Sequence, residues 1–562
     1  MRAPRGAVPE TVDPTEVSPS APFRAFKQAG LVLLAAAWVA LGLAGHDPWK
    51  ADDATSFGIA WEMAQHGDFM VPHLGGEVYL ARPPLLPVLG ALAIKAFSPP
   101  LEPYNAARLV AGAMLAFLLL FTALASREFS GRAFRWLPVL LLIGSIGLWE
   151  RAHVVSSELG VAVGVALALY GFALALRRPI VGGVVLGVAI GIAFLSRGLL
   201  GPTWIVATAL IVIALGEQWR SRAYAATLVA ALLVATAMIA PWIAGLALWN
   251  PDALAQWWSG ETLTQYFALG TDKSDLSYFV RNLLWFAFPA LPLVVWTVWT
   301  RRRGFNGGLR TPNVIVPGVM ALVMFVNLLV MAEPKQIYAI PLLVPLVLIA
   351  ALEVDTLQRG LSAALDWFGI LTFGLLAIVV WGIWIDARLH GMSPGIAALF
   401  RDTEVGYQPS FFLGFVLAAV AMTALWIVLV RPARRSNRRT VLNWAAGVTL
   451  AWCLYSTIWL GYLDSRRTYR HVVEDSAVAM PTTGCIASRN LGDPQRALWY
   501  YFAGVATLRE ETHPDQDCPA MLVQYGRIQG ALPELPGWFI VWDGHRRGDD
   551  TERYVLYRRT KS

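Results

Sequence analysis

Apolar runs of about 20 residues, the length that crosses a bilayer as a helix, recur along this chain and limit its possible folds more than any other feature. They fall near 29–45, 108–126, 134–149, 158–176, 180–195, 200–215, 223–248, 281–299, 313–331, 337–352, 367–385, 411–430 and 441–463, giving 13 candidate spans. In hydrocarbon every backbone N–H and C=O must find its partner inside the protein, so an all-α polytopic membrane protein is expected. Only 15% of the 562 residues are charged, against about 25% in soluble domains, and the mean hydropathy is +0.53. A soluble enzyme, a disordered chain and a coiled coil are thereby excluded. The 24 Trp suit a protein with many membrane interfaces. The net charge of +7 does not point to nucleic acid, because the Arg clusters flank apolar runs and form no single tract.

Those clusters orient the spans. Arg127, Arg132 and Arg135; Arg177 and Arg178; Arg220 and Arg222; Arg301, Arg302, Arg303 and Arg310; and Arg431, Arg434, Arg435, Arg438 and Arg439 occupy alternate connections. The positive-inside rule puts this side in the cytoplasm, with the N-terminus inside and the C-terminus outside. The 353–366 connection, with one Arg and three acids, is the exception. Residues 1–27, rich in Pro and Ser, are expected to be a disordered cytoplasmic tail. Residues 28–463 form the membrane domain, with large external loops at 46–107 and 249–280. Residues 464–562 alternate in the manner of strands (WFIVWDG, RYVLYRR) and suit a small external α/β domain. Its Cys485 and Cys518 lie on the oxidising side and either pair or remain thiols, whereas Cys453 reads as a packing residue.

The spans are nearly free of mid-membrane charge, and the unusual polar groups gather at external helix ends. That pattern suggests chemistry at the outer surface on a substrate whose tail lies in lipid, not a transport path. The first external loop is the most informative segment. Asp52 and Asp53 precede Phe57, Ile59, Ala60 and Met63, a pattern compatible with an interfacial amphipathic helix. The two acids suit either catalysis or plain stabilisation of the helix start. After the turn-rich HGDFMVPHLGG come Tyr79 and ARPPLL, where Pro83 and Pro84 would hold Arg82 on a stiff backbone. A guanidinium fixed there can bind phosphate through two hydrogen bonds or serve as an ordinary interfacial anchor.

The stretch from Asp52 to Phe97 resembles the first external loop of the C-type glycosyltransferases that use polyprenyl-phosphate sugars. The similarity is greatest to the bacterial 4-amino-4-deoxy-L-arabinose lipid A transferases and their relatives, the protein O-mannosyltransferases. Their pattern is an Asp-Glu pair, a short helix, G-D-W-x-x-P-x-x-x-G, then Y-x-x-K-P-P-L. This chain supplies Asp52–Asp53, Gly67–Asp68–Phe69, Pro72, Gly76, Tyr79, Arg82, Pro83, Pro84 and Leu85. Asp53 replaces the usual Glu and Arg82 the usual Lys, both with charge kept. Ser56 stands where the aminoarabinose transferases usually have Tyr. Further on, Glu158 matches an Asp at the start of the fourth span, Arg197–Gly198 a Lys-Gly turn, and Lys335, Tyr338, Pro341 and Pro345 resemble the Lys, Tyr and two Pro that open a late span. The resemblance covers roughly residues 28–350.

The resemblance implies an inner-membrane glycosyltransferase moving a sugar from undecaprenyl or another polyprenyl phosphate to lipid A or another envelope acceptor at the periplasmic face. It implies Asp52, Asp53 and Glu158 as catalytic acids, and Tyr79, Arg82, Arg197, Lys335 and Tyr338 as donor or phosphate ligands. Among these, Arg82, Arg197 and Lys335 would stabilise the leaving phosphate as its charge develops. Without a nucleotide outside the cell, no phosphate-binding Gly-rich loop is expected. The resemblance implies no particular cofactor; a divalent metal is compatible, although no His/Cys cluster at ligand spacing demands one. The alternatives are protein O-mannosylation or another lipid-linked-sugar transfer and, in a different class, a flippase for such a lipid.

Overall fold

The computed structural model describes residues 21–262, 276–331, 334–399, 407–431, 436–527, 531–547, 549 and 551–560. Residues 1–20 of the expected N-terminal tail and 263–275 of the second external loop lie outside them. The first helix already begins at Ala21, inside the stretch expected to be disordered, and runs to Ala40.

Among the described residues, eight helices are long and apolar enough to cross a membrane, or up to 11 if each bent pair counts as one span. The eight are Pro103–Ser130, Ser157–Ala175, Pro179–Arg197, Arg222–Trp249, Pro312–Leu329, Gln336–Thr356, Arg359–His390 and Leu413–Val430. The expected runs at 29–45 and 200–215 correspond to shorter apolar helices, Gln28–Ala40 and Leu200–Leu215. Three expected spans are broken: Arg132–Ile143 with Ile146–His153 (61°), Ser277–Phe286 with Ala290–Arg301 (94°), and Asn437–Ser456 with Leu460–Ala479 (61°). Pro289 lies at the second break and cannot donate the next helical hydrogen bond. At the first break, Trp444 Nε1 donates to the Gly144 carbonyl at 2.8 Å, satisfying a group the break sets free.

Between helices the packing relies on small residues, as it must where lipid is as apolar as Leu. Ser157–Ala175 is apolar all round and almost wholly buried, the central post of the bundle. A side chain at Gly183 would strike the Thr227 carbonyl, so only glycine lets Pro179–Arg197 approach Arg222–Trp249 this closely.

The acids of the 353–366 connection have local partners, which explains why that stretch departs from the charge pattern. Glu353 is buried against Arg301 (2.7 Å) and Asn306, Asp355 pairs with Arg438 (2.6 Å), and Asp366 accepts from Asn443 Nδ2 (2.8 Å).

Two sheets lie outside the bundle. In the first loop, β1 (His73–Leu74) and β2 (Glu77–Val78) form a hairpin closed by Gly75 and Gly76, both at positive φ. In the C-terminal region, β3 (Ile486–Arg489), β4 (Thr507–Arg509), β5 (Ala520–Tyr525), β6 (Trp538–Gly544) and β7 (Arg553–Arg559) order as β4-β3-β5-β7-β6. β3 is parallel to β4 and β5, and β7 is antiparallel to β5 and β6. With helices Arg470–Ala479 and Asp493–Ala503 this is the expected small α/β unit, and Cys485 and Cys518 are disulfide-bonded.

The structure corrects one expectation about the first loop. Asp52–His66 is a helix, but not one that presents a single apolar face to the membrane surface. Thr55, Ser56 and Gly58 are buried along with Phe57, Ile59, Ala60 and Met63. Gly58 meets Ala497 of the C-terminal unit and Ala60 meets Gly90 of helix Leu85–Phe97. Phe57 and Trp61 pack edge-on against Tyr501, at 4.8 and 5.2 Å between ring centroids. The helix is clamped between the membrane bundle and the C-terminal unit.

Candidate active site

The first turn of Asp52–His66 places its two acids in different surroundings. Asp53 is buried and fully engaged: Arg108 Nη2 donates to it at 2.7 Å, and the amides of Val155 and Trp49 donate at 3.2 and 3.3 Å. Arg108, 1% exposed near the start of Pro103–Ser130, also donates to the carbonyls of His46 (2.7 Å) and Asp47 (2.8 Å). One guanidinium therefore fixes both the turn entering the loop helix and the acid in its first turn. Burial, with Arg108 beside it, pushes His46 down to about 3, so its ring stays neutral. Burial alone would raise Asp53, but Arg108 outweighs it and holds the carboxyl below the usual range.

Asp52 instead joins a cluster of cations. Arg82 Nη2 donates to its Oδ1 at 2.5 Å. Burial would raise the Asp52 carboxyl, but Arg82, then Arg197 and Lys335, outweigh it and hold it below the usual carboxylate range. Arg82 is kept firmly protonated: burial opposes its charge, but Asp52, Glu158 and Tyr79 all favour it. Glu158, 1% exposed at the start of Ser157–Ala175, is ion-paired with Arg197. The Arg197 guanidinium lies 3.9 Å from the centroid of the Tyr338 ring, a cation–π contact. Asp52, Tyr79, Arg82, Glu158, Arg197, Lys335 and Tyr338 thus come together from five separate stretches of chain, with Asp53 beneath them.

Two atoms in this cluster have unused hydrogen-bonding capacity. Among the described residues, Arg82 Nη1 and Glu158 Oε2 are buried without a partner. Buried polar atoms left this way are rare and point to a missing ligand or water. Beside Asp52 lies a cavity of about 400 Å³, lined by Lys50, Glu150, Arg151, Tyr278, Lys335 and Gln336 among others. The described residues contain no group of three or more His, Cys, Asp or Glu side chains placed to hold a metal ion.

Several residues that shape this site were not singled out from the sequence. Arg108 had one available signal, a charge placed within the first turns of an apolar run, which membrane proteins seldom tolerate without a role. The contacts from the C-terminal unit had none. Arg470 grips Asp47 through Nη2 (2.5 Å) and Nε (3.0 Å), and Asp464 Oδ1 accepts from Trp49 Nε1 (2.8 Å) and the Asp47 amide (3.0 Å). Glu552 is ion-paired with Lys50, while Arg509 and Arg496 hold Glu77 at 2.6 and 3.1 Å. Within the loop, Glu62 accepts from the amides of Gly75 and Gly76, tying the hairpin to the helix that carries Asp52.

No family model matches the chain. Among curated proteins it is similar to undecaprenyl phosphate-alpha-4-amino-4-deoxy-L-arabinose arabinosyl transferases. The one from Aeromonas hydrophila is 23% identical over 472 residues, covering 80% of each chain. The one from Serratia proteamaculans is 24% identical over 457 residues, covering 77% of this chain and 76% of the relative. Among solved structures, ArnT from Cupriavidus metallidurans bound to undecaprenyl phosphate shares the fold, with a TM-score of 0.66 at 15% identity over 96% of this chain and 98% of that one. The chain is thus similar to these transferases over about four-fifths of its sequence and shares the fold of ArnT along nearly its whole length.

Proposed function

We propose that the protein transfers a sugar from undecaprenyl or another polyprenyl phosphate to a cell-envelope acceptor. The sugar is 4-amino-4-deoxy-L-arabinose or a close relative, and lipid A is the acceptor. The observation that carries this reading is the convergence of Arg82, Arg197 and Lys335 on the carboxylate of Asp52 beside an open cavity. The curated relatives, whose names specify that donor, support it.

In this reading the donor phosphate binds at Arg82, whose Nη1 is unpartnered while Nη2 keeps Asp52 in place. Transfer breaks the bond between the anomeric carbon and the phosphate oxygen and forms one from that carbon to an acceptor oxygen. The leaving phosphate changes from a singly charged diester to a monoester with further negative charge. Preorganised cations at that point stabilise the transition state more than the ground state. Arg82, Arg197 and Lys335 do this, with Tyr79 and Tyr338 framing the donor.

Asp52 orients the acceptor, and Glu158 holds Arg197 in place. A carboxylate kept below its usual range is a poor base for a hydroxyl, since general-base efficiency needs a pKa near the working pH. An acceptor phosphate, already anionic, needs no such base. This favours a lipid A phosphate over the hydroxyl that protein O-mannosylation would use. Asp53 is placed to position Asp52 through Arg108.

We read 13 spans, counting each bent pair once and adding Gln28–Ala40 and Leu200–Leu215. The arginine-rich ends face the cytoplasm of a bacterial inner membrane. The N-terminus is cytoplasmic, while the loops at 46–107 and 249–280 and the domain at 464–562 are periplasmic.

The test is an assay with purified protein, undecaprenyl phosphate-linked aminoarabinose and lipid A. Mass spectrometry should find lipid A heavier by one aminoarabinose and free undecaprenyl phosphate in equal amount. Leaflet exchange without cleavage would establish the flippase reading, and transfer only to a peptide hydroxyl would establish the mannosyltransferase-like one.

A further inference from the structure

At the other end of the bundle the described residues enclose a second cavity, of about 510 Å³. It lies among the first turns of Arg359–His390 and Asn437–Ser456 and the last turn of Leu413–Val430. Asn437–Ser456 runs from this cavity toward the segment bearing Asp464, and its 20 residues span about 30 Å at ~1.5 Å per residue. The cavity is therefore a membrane thickness away from Asp52.

Its wall carries three guanidiniums, Arg359, Arg431 and Arg439, against one carboxylate, Asp366. Arg439 Nη2 is occupied by the carbonyls of Leu429 and Arg431, at 2.8 and 2.9 Å. Among the described residues, no carboxylate pairs with Arg359 or Arg431. The first turn of Arg359–His390 has no side-chain cap, so its amide groups add positive potential to the same space.

The remaining wall offers hydrogen bonds of a different kind. Ser362 and Thr440 pair their hydroxyls at 3.1 Å. Asn443, 7% exposed, donates to Asp366 at 2.8 Å, while its Oδ1 is buried with no partner. A buried acceptor left in this state calls for a donor from a ligand. At the rim, Trp367 is half exposed, as an aromatic side chain at a membrane interface usually is.

We propose that this cavity binds the headgroup of an anionic glycerophospholipid. The phosphate lies between Arg359 and Arg431, and a headgroup hydroxyl donates to Asn443 Oδ1. The three cations and single acid leave the cavity net positive, which favours a phosphate carrying uncompensated charge over a zwitterionic headgroup. The open rim beside Trp367 lets the acyl chains remain in the bilayer. Phosphatidylglycerol has both features, an uncompensated phosphate and glycerol hydroxyls.

Native mass spectrometry on the detergent-purified full chain tests this by titration with phosphatidylglycerol, phosphatidylethanolamine and inorganic phosphate in separate arms. Wild type should retain phosphatidylglycerol in preference to the other two. Arg359→Gln or Arg431→Gln should each weaken retention about fivefold, and the double variant roughly 30-fold. Arg359→Lys with Arg431→Lys, which keeps the charge, should bind within a few-fold of wild type. Equal retention of phosphatidylethanolamine, or of inorganic phosphate, by wild type would overturn the proposal even if the Gln variants failed to fold. So would a folded double Gln variant that binds phosphatidylglycerol as wild type does. The readout is lipid binding, not sugar transfer, so the outcome is independent of the proposed reaction.

Discussion

Arg82 divides its guanidinium, with Nη2 on Asp52 and Nη1 buried without a partner among the described residues. Arg82→Ala should therefore remove both a ligand for the donor phosphate and the partner of Asp52. Losing one charged hydrogen bond forfeits about 1.5–3 kcal/mol, so kcat/KM with the lipid-phosphate donor should fall roughly 10- to 150-fold. Arg82→Lys keeps the charge that the relatives' motif carries and should retain measurable activity. An alanine variant as efficient as wild type would reduce Arg82 to an interfacial anchor. Asp52→Asn should abolish transfer while the protein inserts and folds, because the Asp52 side chain is partly exposed whereas that of Asp53 is buried. Near-normal turnover of that variant would mean that Asp52 only stabilises its helix. The family resemblance singled out Asp52 as an acid and Arg82 as a phosphate ligand, but not their ion pair. It did not say which of the two adjacent acids meets Arg108, because only tertiary contact decides that.

Among the elements, the Asp52–His66 helix depends on its neighbours more than its sequence suggests. A Cβ on Gly58 would lie 2.5 Å from that of Ala497, closer than such atoms approach. Gly58→Val should push this helix away from Asp493–Ala503, at a cost of about 1–3 kcal/mol. The thermal midpoint and kcat should both drop, whereas Gly30→Ala, where nothing lies within 4 Å, should change neither. An unchanged midpoint for Gly58→Val would show that the two helices are not in contact. Acid should weaken the same junction. Burial opposes ionisation of Asp47, Glu77 and Glu552, but Arg470 with Thr468, Arg509 with Arg496, and Lys50 with two Tyr hydroxyls hold each carboxyl below its usual range. Their folded values lie under the unfolded values of about 3.9–4.3, so their contribution is complete above that range and is lost as pH falls through the folded values. Melting in detergent should show a midpoint flat from pH 7 to about 5 and falling below about 4. A midpoint insensitive to pH down to 3 would refute the linkage.

For the molecule as a whole, the C-terminal unit and the first loop share one side of the membrane, because Arg470, Asp464 and Glu552 contact Asp47, Trp49 and Lys50 directly. In the proposed orientation that side is the periplasm. A reporter active only in the periplasm, fused after Ser562, should therefore be active. Under the same orientation, denatured protein from membranes should expose one alkylatable thiol without reductant, Cys453, with Cys485 and Cys518 joined. A reporter that works only in the cytoplasm would overturn the orientation and the odd span count together.

The sequence by itself determined the helical membrane class and the strands at WFIVWDG and RYVLYRR, and the family resemblance singled out the residues from Tyr79 to Tyr338 that gather around Asp52. Run length and period-two alternation are local properties. The tertiary structure decided what depends on groups distant in the chain. It decided that Arg108 claims Asp53, that Glu353 and Asp355 of the 353–366 connection are matched by Arg301 and Arg438, and that the C-terminal unit clamps the loop bearing Asp52. These pairings join residues tens to hundreds of positions apart, and the buried ones, Arg108–Asp53 and Arg301–Glu353, draw their strength from a local dielectric that falls only once the bundle has closed around them. No local pattern in the chain records that burial.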